Sequence, residues 1–317
     1  MKRLGIFAIV CWLLLLPAGA QTVLNHIGEV SSYSTSGDFN GDGITDFVYI
    51  GILPHNVVQL QIYLGYGDGF VYDRKTTNLP SDIASGVVEL NPTGGPADFD
   101  GDGKLDAVFC TAGPASGSIL VAFGNGDGTF SRIQQITLPA SLGAVQLIND
   151  FPSLYAVDVN HDQHADILFE DSKGTIASFL GNGDGTFQSP VLTSSPGPSG
   201  IQGIGDVNND GFPDIITETT TSQFYQSTGK ENFYLLVGDG HGGFGAGTLV
   251  NPEPVGGIFT FLGLQDINHD NFADAVFWVT SSGSTYAAVV LAWKQQRPFR
   301  GGGQPVFLYW WWHFEWP

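Results

Sequence analysis

The sequence predicts an all-β protein built from one repeated four-stranded unit, and three observations lead there. Five segments carry the same pattern: DFNGDGITDFVYI from Asp38, DFDGDGKLDAVFC from Asp98, DVNHDQHADILFE from Asp158, DVNNDGFPDIITE from Asp206 and DINHDNFADAVFW from Asp266. Their starts lie 60, 60, 48 and 60 residues apart, and self-similarity at such a period marks a repeat architecture. The runs around them are short, rich in Val, Ile and Phe, and bounded by Gly, Asn and Asp, which is the composition of strands. No stretch shows a convincing 3.6-residue apolar period bounded by caps.

Each unit divides into four strands. The first ends at the opening Asp, as in PSLYAVD. The second is the apolar run after the last Asp, such as DILFE. The third is a run such as SILVAFG, and the fourth follows a Gly-rich turn, as in TFSRIQQITL. Four-stranded units of this length repeated around an axis make a β-propeller. A β-solenoid is the alternative, but its rungs are usually much shorter.

The two ends differ from the repeats. Lys2 and Arg3 precede an apolar run from Leu4 to Leu16, and Ala18-Gly19-Ala20 supplies small residues for cleavage. Residues 1–20 therefore read as a secretory signal peptide. The run is short for a membrane span, and no later segment has enough consecutive apolar residues to cross after cleavage. The expected location is secreted or extracellular, or the periplasm or cell surface of a Gram-negative bacterium. Residues 21–292 are the propeller. With the leader removed only Cys110 remains, so no internal disulfide holds the exported chain together.

Charge points to what does. The 317 residues carry 11 Lys and Arg against 31 Asp and Glu, a net charge of −20. Such a surface repels nucleic acid and anionic membranes. The chain is nonetheless 42% hydrophobic with 23 Phe, enough to bury a core. The acids are also clustered, since 16 of the 31 lie in the five Asp-rich loops.

Numbered from its first Asp, each loop has Asp at positions one, five and nine, and Asn or Asp at three. A chain curling around an ion turns alternate side chains inward. Gly at position six permits a sharp turn, and position seven can offer its backbone carbonyl. Five oxygen donors per loop suit calcium, which takes six to eight hard oxygens. The candidate ligands are Asp38, Asn40, Asp42, Ile44 and Asp46 in the first loop, and Asp98, Asp100, Asp102, Lys104 and Asp106 in the second. They are Asp158, Asn160, Asp162, His164 and Asp166 in the third, and Asp206, Asn208, Asp210, Phe212 and Asp214 in the fourth. In the fifth they are Asp266, Asn268, Asp270, Phe272 and Asp274. Plain Asx-turns between strands are the bland alternative. An EF-hand needs flanking helices and Glu at position twelve, where this chain has Tyr49, Phe109, Phe169, Thr217 and Phe277. Loops three and five place Gln163 and Asn271 at position six, where Gly fits best.

These loops, with the Gly-Asn-Gly-Asp-Gly-Thr-Phe turns at Gly124 to Phe130 and Gly181 to Phe187, resemble FG-GAP or VCBS repeats, the units of integrin α-subunit propellers and of many secreted bacterial proteins. The resemblance covers roughly residues 21–291. It implies calcium in the loop joining the first two strands of each blade, and adhesion to a protein or glycan. It also implies a ring of seven blades, against five visible here, so a truncated ring stays open as an expectation.

No HExxH, GxSxG or Walker A pattern occurs, and paired carboxylates are so common in the metal loops that they cannot be read as an acid/base pair. The chain is therefore expected to be a binding module and not an enzyme; a propeller-type extracellular polysaccharide lyase or hydrolase is the alternative. Its expected partner is an extracellular protein or glycan, not nucleic acid. Aromatics such as Tyr63 and Tyr66 could stack on sugars, although filling between blades is their commoner role.

Residues 293–317 break the pattern. A turn like GNGDGTF is due, and instead the chain reads WKQQRPFRGGGQPVFLYWWWHFEWP, with five of the seven Trp. The segment reads either as an aromatic docking tail or as the product of a shifted reading frame. On the second account it is expected to be poorly ordered.

Overall fold

The computed structural model describes residues 34–53, 57–68, 71–79, 89–112, 118–142, 154–171, 173–197, 199–219, 232–250, 258–266, 273–280, 286–293 and 307–314. The expected leader, residues 1–20, lies outside them, as do loop-five positions Asn268, Asp270, Asn271 and Phe272. Among the described residues there is no helix, and hence none long and apolar enough to cross a membrane.

Five antiparallel sheets of four strands each form propeller-like blades. The first runs β1 (Ser34–Gly37), β2 (Asp46–Leu53), β3 (Val57–Gly65) and β4 (Val71–Asn78). The second is β5 (Glu89–Ala97), β6 (Asp106–Ala112), β7 (Ser118–Gly124) and β8 (Phe130–Thr137). The third is β9 (Leu154–Val157), β10 (Asp166–Glu170), β11 (Thr175–Phe179) and β12 (Val191–Ser194). The fourth is β13 (Ser199–Gly205), β14 (Asp214–Thr219), β15 (Asn232–Leu236) and β16 (Thr248–Leu249). The fifth is β17 (Ile258–Gln265), β18 (Asp274–Thr280), β19 (Tyr286–Trp293) and β20 (Phe307–Phe314). Every sheet is a simple meander in chain order.

The chain divides into two compact units. One holds the first two sheets, β9 and residues 181–187; the other holds residues 147–153, 158–180 and 188–317. In the first unit β1 lies against β5 and β5 against β9, so the opening strands of successive sheets are neighbours. Phe39, Val48, Leu60 and Ile62 of the first sheet share a core with Ala107, Phe109, Leu120, Ala122 and Phe130 of the second. Alternation decides which residues meet, because successive strand residues face opposite sides. The central strand β7 is buried along its whole length, whereas the outer strand β8 is mostly exposed. In the second unit β13 lies against β17, and Phe233 meets Phe277 edge-on with ring centroids 4.8 Å apart. Fully burying each such ring stabilises the fold by about 1.5–3 kcal/mol.

Within the Trp-rich tail, Phe307–Phe314 forms β20, paired residue for residue with β19 from Trp293↔Phe307 to Tyr286↔Phe314, and residues 294–306 and 315–317 lie outside the described residues. The physical reason is twofold. An unpaired β19 leaves a row of open backbone groups, and an aromatic run has high strand propensity.

The acidic loops are hairpin connections closed at their base. Gly37 pairs with Asp46, Ala97 with Asp106, Gly205 with Asp214 and Gln265 with Asp274, so position nine begins the second strand. Position six has positive φ, as expected: 81° at Gly43 and Gly103, 92° at Gly211 and 72° at Gln163. Position four does too, at Gly41, Gly101, His161 and Asn209, which the sequence reading missed. Gln163 is exposed, and a side chain at the equivalent Gly43, Gly103 or Gly211 would meet nothing within 4 Å. Its strain is therefore in the backbone alone. A left-handed conformation costs a residue with Cβ about 1–2 kcal/mol, partly offset by the greater chain entropy of unfolded Gly. Gln163→Gly is expected to raise unfolding stability by about 0.5–1 kcal/mol in urea titration. An unchanged or lower midpoint would show that the loop has relieved the strain.

Candidate metal centres

Each of the first four loops is organised by its position-one carboxylate, which caps the turn. Asp38 Oδ1 accepts the N–H groups of Gly41 and Asp42 at 2.8 and 3.1 Å, and Oδ2 accepts that of Gly43 at 2.7 Å. Asp98 repeats the set with Gly101, Asp102 and Gly103 at 2.7, 3.2 and 2.8 Å. Asp158 accepts from Asp162 and Gln163, and Asp206 from Asp210 and Gly211. The positive φ values at four and six turn these N–H groups inward.

Position nine is a buried clamp. Asp106 Oδ2 accepts Phe99 N–H and Oδ1 accepts Gly124 N–H, both at 2.8 Å. Asp46 does the same with Phe39 and Gly65, at 2.9 and 2.8 Å, and Asp214 with Val207 and Gly238, at 2.9 and 3.0 Å. Asp166 accepts Val159 N–H at 2.9 Å. Each oxygen of Asp46 and Asp106 accepts one of these N–H groups and has a second lone pair, so there the clamp and metal ligation are compatible, whereas Asp214 Oδ2 also accepts Asn208 N–H at 3.3 Å. The donor from the third strand is a glycine for a steric reason: a Cβ on Gly65, Gly124 or Gly238 would overlap the backbone carbonyl oxygen of Thr45, Leu105 or Pro213.

Burial leaves these carboxyls hard to ionise. It pushes Asp106 up to about 6; the N–H bonds of Gly124 and Phe99 oppose the shift, and the charges of Asp100 and Asp98 add to it. Asp214 is likewise raised to about 6 by burial, and Asp46 moves in the same direction. Asp102 moves down, chiefly through its hydrogen bond from Lys104.

The second loop differs from the others at position three. Loops one, three and four have Asn there. The Asn Nδ2 donates to Oδ2 at position five, at 3.0, 2.9 and 2.9 Å. Asp100 has no such proton. One oxygen each of Asp98, Asp100 and Asp106 lies within 4.8 Å of the others, the one such acidic group among the described residues. Asp100 Oδ1 is buried with no hydrogen-bond partner. Three converging carboxylates, one oxygen of which lacks a donor, could hold a hard cation.

The remaining candidates are placed differently. Position five turns one oxygen to the backbone: Asp42, Asp102, Asp162 and Asp210 accept the N–H of Ile44, Lys104, His164 and Phe212 at 2.8–3.0 Å. Asp102 also pairs with Lys104 Nζ at 2.8 Å. Of the loop-five candidates, Asp266 at position one and Asp274 at position nine are described, and Asp274 is fully buried at the start of β18.

The Gly-rich turns dock on these loops. Gly128 N–H donates to Phe39 O at 3.1 Å, and Gly185 N–H to Phe99 O at 2.9 Å. The turn's closing ring then packs on the ring at loop position two, Phe130 on Phe39 and Phe187 on Phe99. Within each turn Asp127 or Asp184 accepts Thr129 or Thr186 N–H at 2.9 Å. This docking could have been suspected from the recurrence of Phe at both places.

Propeller-like blades, acidic hairpins and Gly-rich turns together define a class of repeat protein. A family profile described as FG-GAP-like repeat matches residues 38–109, 98–169 and 158–217, more than half of the chain, and the chain belongs to that family. No curated protein matches it. Among solved structures, the chain is similar to a Tc holotoxin pore of Photorhabdus luminescens, with 17% identity and a TM-score of 0.42 over 83% of this chain. It spans only 11% of that chain. A mutant of AofleA from Arthrobotrys oligospora matches at 13% identity and a TM-score of 0.41, covering 87% of this chain and 74% of that one.

The raised carboxyls make stability depend on pH. Between the ordinary value of 3.8 and the folded value of about 6, Asp106 and Asp214 keep their protons in the fold but lose them in the unfolded chain. The metal-free fold therefore binds more protons than the unfolded chain in that window, and its stability falls as pH rises through it. The lowered groups, Asp102, Asp127 and Asp184, titrate below the window. In metal-depleted buffer the melting temperature is expected to be higher at pH 5 than at pH 7; the reverse order would contradict the assignment.

Proposed function

We propose that this chain is an exported calcium-binding propeller module that recognises an extracellular protein or glycan. The observation that carries the calcium reading is the convergence of Asp98, Asp100 and Asp106, in which Asp100 also has a buried oxygen that lacks a donor. In loop two these three residues would hold the ion. In the other loops the position-one and position-nine Asp would do so with the position-three Asn. A bound ion would supply positive charge where buried acids repel one another.

Its consequence is structural. Positions one to nine join the first strand of a sheet to its second, and position nine also binds the third strand's glycine. Loading the loop therefore fixes the hairpin on which the neighbouring Gly-rich turn docks. The basic start, apolar run and small-residue site of residues 1–20 support export. Binding is supported by the exposed surface of the blades. Tyr66 is 48% exposed beside loop one, and its hydroxyl donates to Asp73 Oδ2 at 2.6 Å, which holds an aromatic ring at the surface where a sugar or side chain could meet it.

Calcium at 100 times its dissociation constant stabilises a fold by about 2.7 kcal/mol per site. Melting is expected to rise by several degrees in millimolar calcium and to fall back in EGTA, with magnesium a poor substitute because its smaller octahedral shell fits badly. Melting that ignores both calcium and chelator would overturn the calcium reading. A glycan and protein array probed with and without calcium tests recognition, and no calcium-dependent binding would count against it.

A further inference from the structure

Arg132 lies on β8, the outer strand of the second sheet, and its guanidinium is held in place from three directions. Its Cζ sits 3.6 Å over the ring of Phe123, a buried side chain. Its Nη1 reaches Gln134 Oε1 at 3.4 Å. Its Nη2 lies 3.7 Å from Asp100 Oδ2. It also occupies the space beside Gly185, where a Cβ would come within 2.5 Å of Nη2. Arg132 thus stands where the second loop meets the Gly-rich turn docked on it.

The chemistry of position three explains why an arginine is needed there. In loops one, three and four the Asn is braced within its own loop. Its Nδ2 donates to position five, and its Oδ1 accepts the position-five N–H at 3.0, 3.1 and 2.8 Å. Both ends of the amide are fixed. Asp100 can donate nothing, and Asp102 turns to Lys104 instead. The internal brace is missing from loop two alone among these four. The first sheet supplies a contrast. The residue that pairs across from the one preceding the third-strand glycine is Arg132 in sheet two and Asp73 in sheet one, where position three is Asn40.

We infer that Arg132 is the positioning residue of loop two: it holds Asp100 by Oδ2, so that Oδ1 stays turned toward the cation site shared with Asp98 and Asp106. This rests on the calcium reading above. Two effects of the guanidinium oppose each other. Its charge repels an incoming cation, but its side chain is 50% exposed and that repulsion is screened by solvent. Its orienting effect acts directly on a ligand oxygen, and loss of such an outer partner typically costs about ten- to a hundredfold in metal affinity. Orientation wins.

The test is a double-mutant cycle on the full chain: wild type, Arg132→Gln, Asp100→Asn, and both together, titrated with calcium by calorimetry. Asp98→Asn, which disables loop two, identifies that loop's contribution. Arg132→Gln is expected to weaken calcium binding at loop two about tenfold. In the Asp100→Asn background the new amide can brace itself on Asp102, so the same change is expected to cost less than twofold. Arg132→Lys, which keeps the charge without the planar fork, should fall between wild type and Arg132→Gln. Tighter binding by Arg132→Gln, or equal losses in both backgrounds, would overturn the role of Arg132 while leaving calcium binding intact. A wild-type chain that binds no calcium would overturn the calcium reading itself.

Discussion

The first, second and fourth repeats each depend on one buried carboxylate. The Asp at position nine accepts one N–H from loop position two and another from the glycine after the third strand, as Asp106 does from Phe99 and Gly124. Three chain segments are fixed by a single side chain. Hydrogen bonds to a charged acceptor in a low-dielectric site are about twice as strong as neutral ones. The same burial makes the carboxylate costly to ionise. The fold therefore holds together through a group that favours either a proton or a cation beside it.

That tension organises what surrounds the clamp. Position one spends its oxygens on inward-turned backbone N–H groups, which bring fixed partial positive charge into the acidic loop. Left-handed residues at four and six are the geometric requirement for that arrangement, and they explain why Gly and Asn recur at both positions. Gln163 is the exception at six, tolerated because the site is open to solvent. The docked turn adds an apolar lid at position two, where Phe187 packs on Phe99 with ring centroids 5.7 Å apart. Hairpin, loop and neighbouring turn thus form one cooperative element.

Much of this was legible in the sequence. The repeat followed from the spacing of the Asp-rich segments, and the strands from short apolar runs bounded by Gly, Asn and Asp, because both signals are carried by residue type along the chain. The strand starting at Asp274 and the hairpin base at Gly37 and Asp46 lie where the pattern places them. Three features were not legible. Positive φ at His161 leaves no mark in residue type. The double role of Asp106 needs a donor from Gly124, eighteen residues on, which only strand pairing brings near. The placement of Phe307–Phe314 as a fourth strand depends on the open edge of β19, a tertiary vacancy that local composition does not reveal.

Charge balance explains why loop two should not simply be counted as the most acidic of the five. Its fourth carboxylate comes with two cations absent from the equivalent places in loop one: Lys104 where that loop has Ile44, and Arg132 where it has Asp73. Lys104 removes Asp102 from the converging group by pairing with it at 2.8 Å. What remains is three carboxylates rather than four, with the third aimed from outside by a guanidinium. Affinity in such a loop follows from how many oxygens are free and oriented, since extra charge that is already paired adds repulsion without adding a ligand. An Asn at position three reaches a similar end with one less charge, because its amide both braces itself and presents an oxygen. The two solutions occur side by side in one chain, and they differ in what orients the side chain: an amide hydrogen bond inside the loop for Asn40, and an ion pair from an outer strand for Asp100.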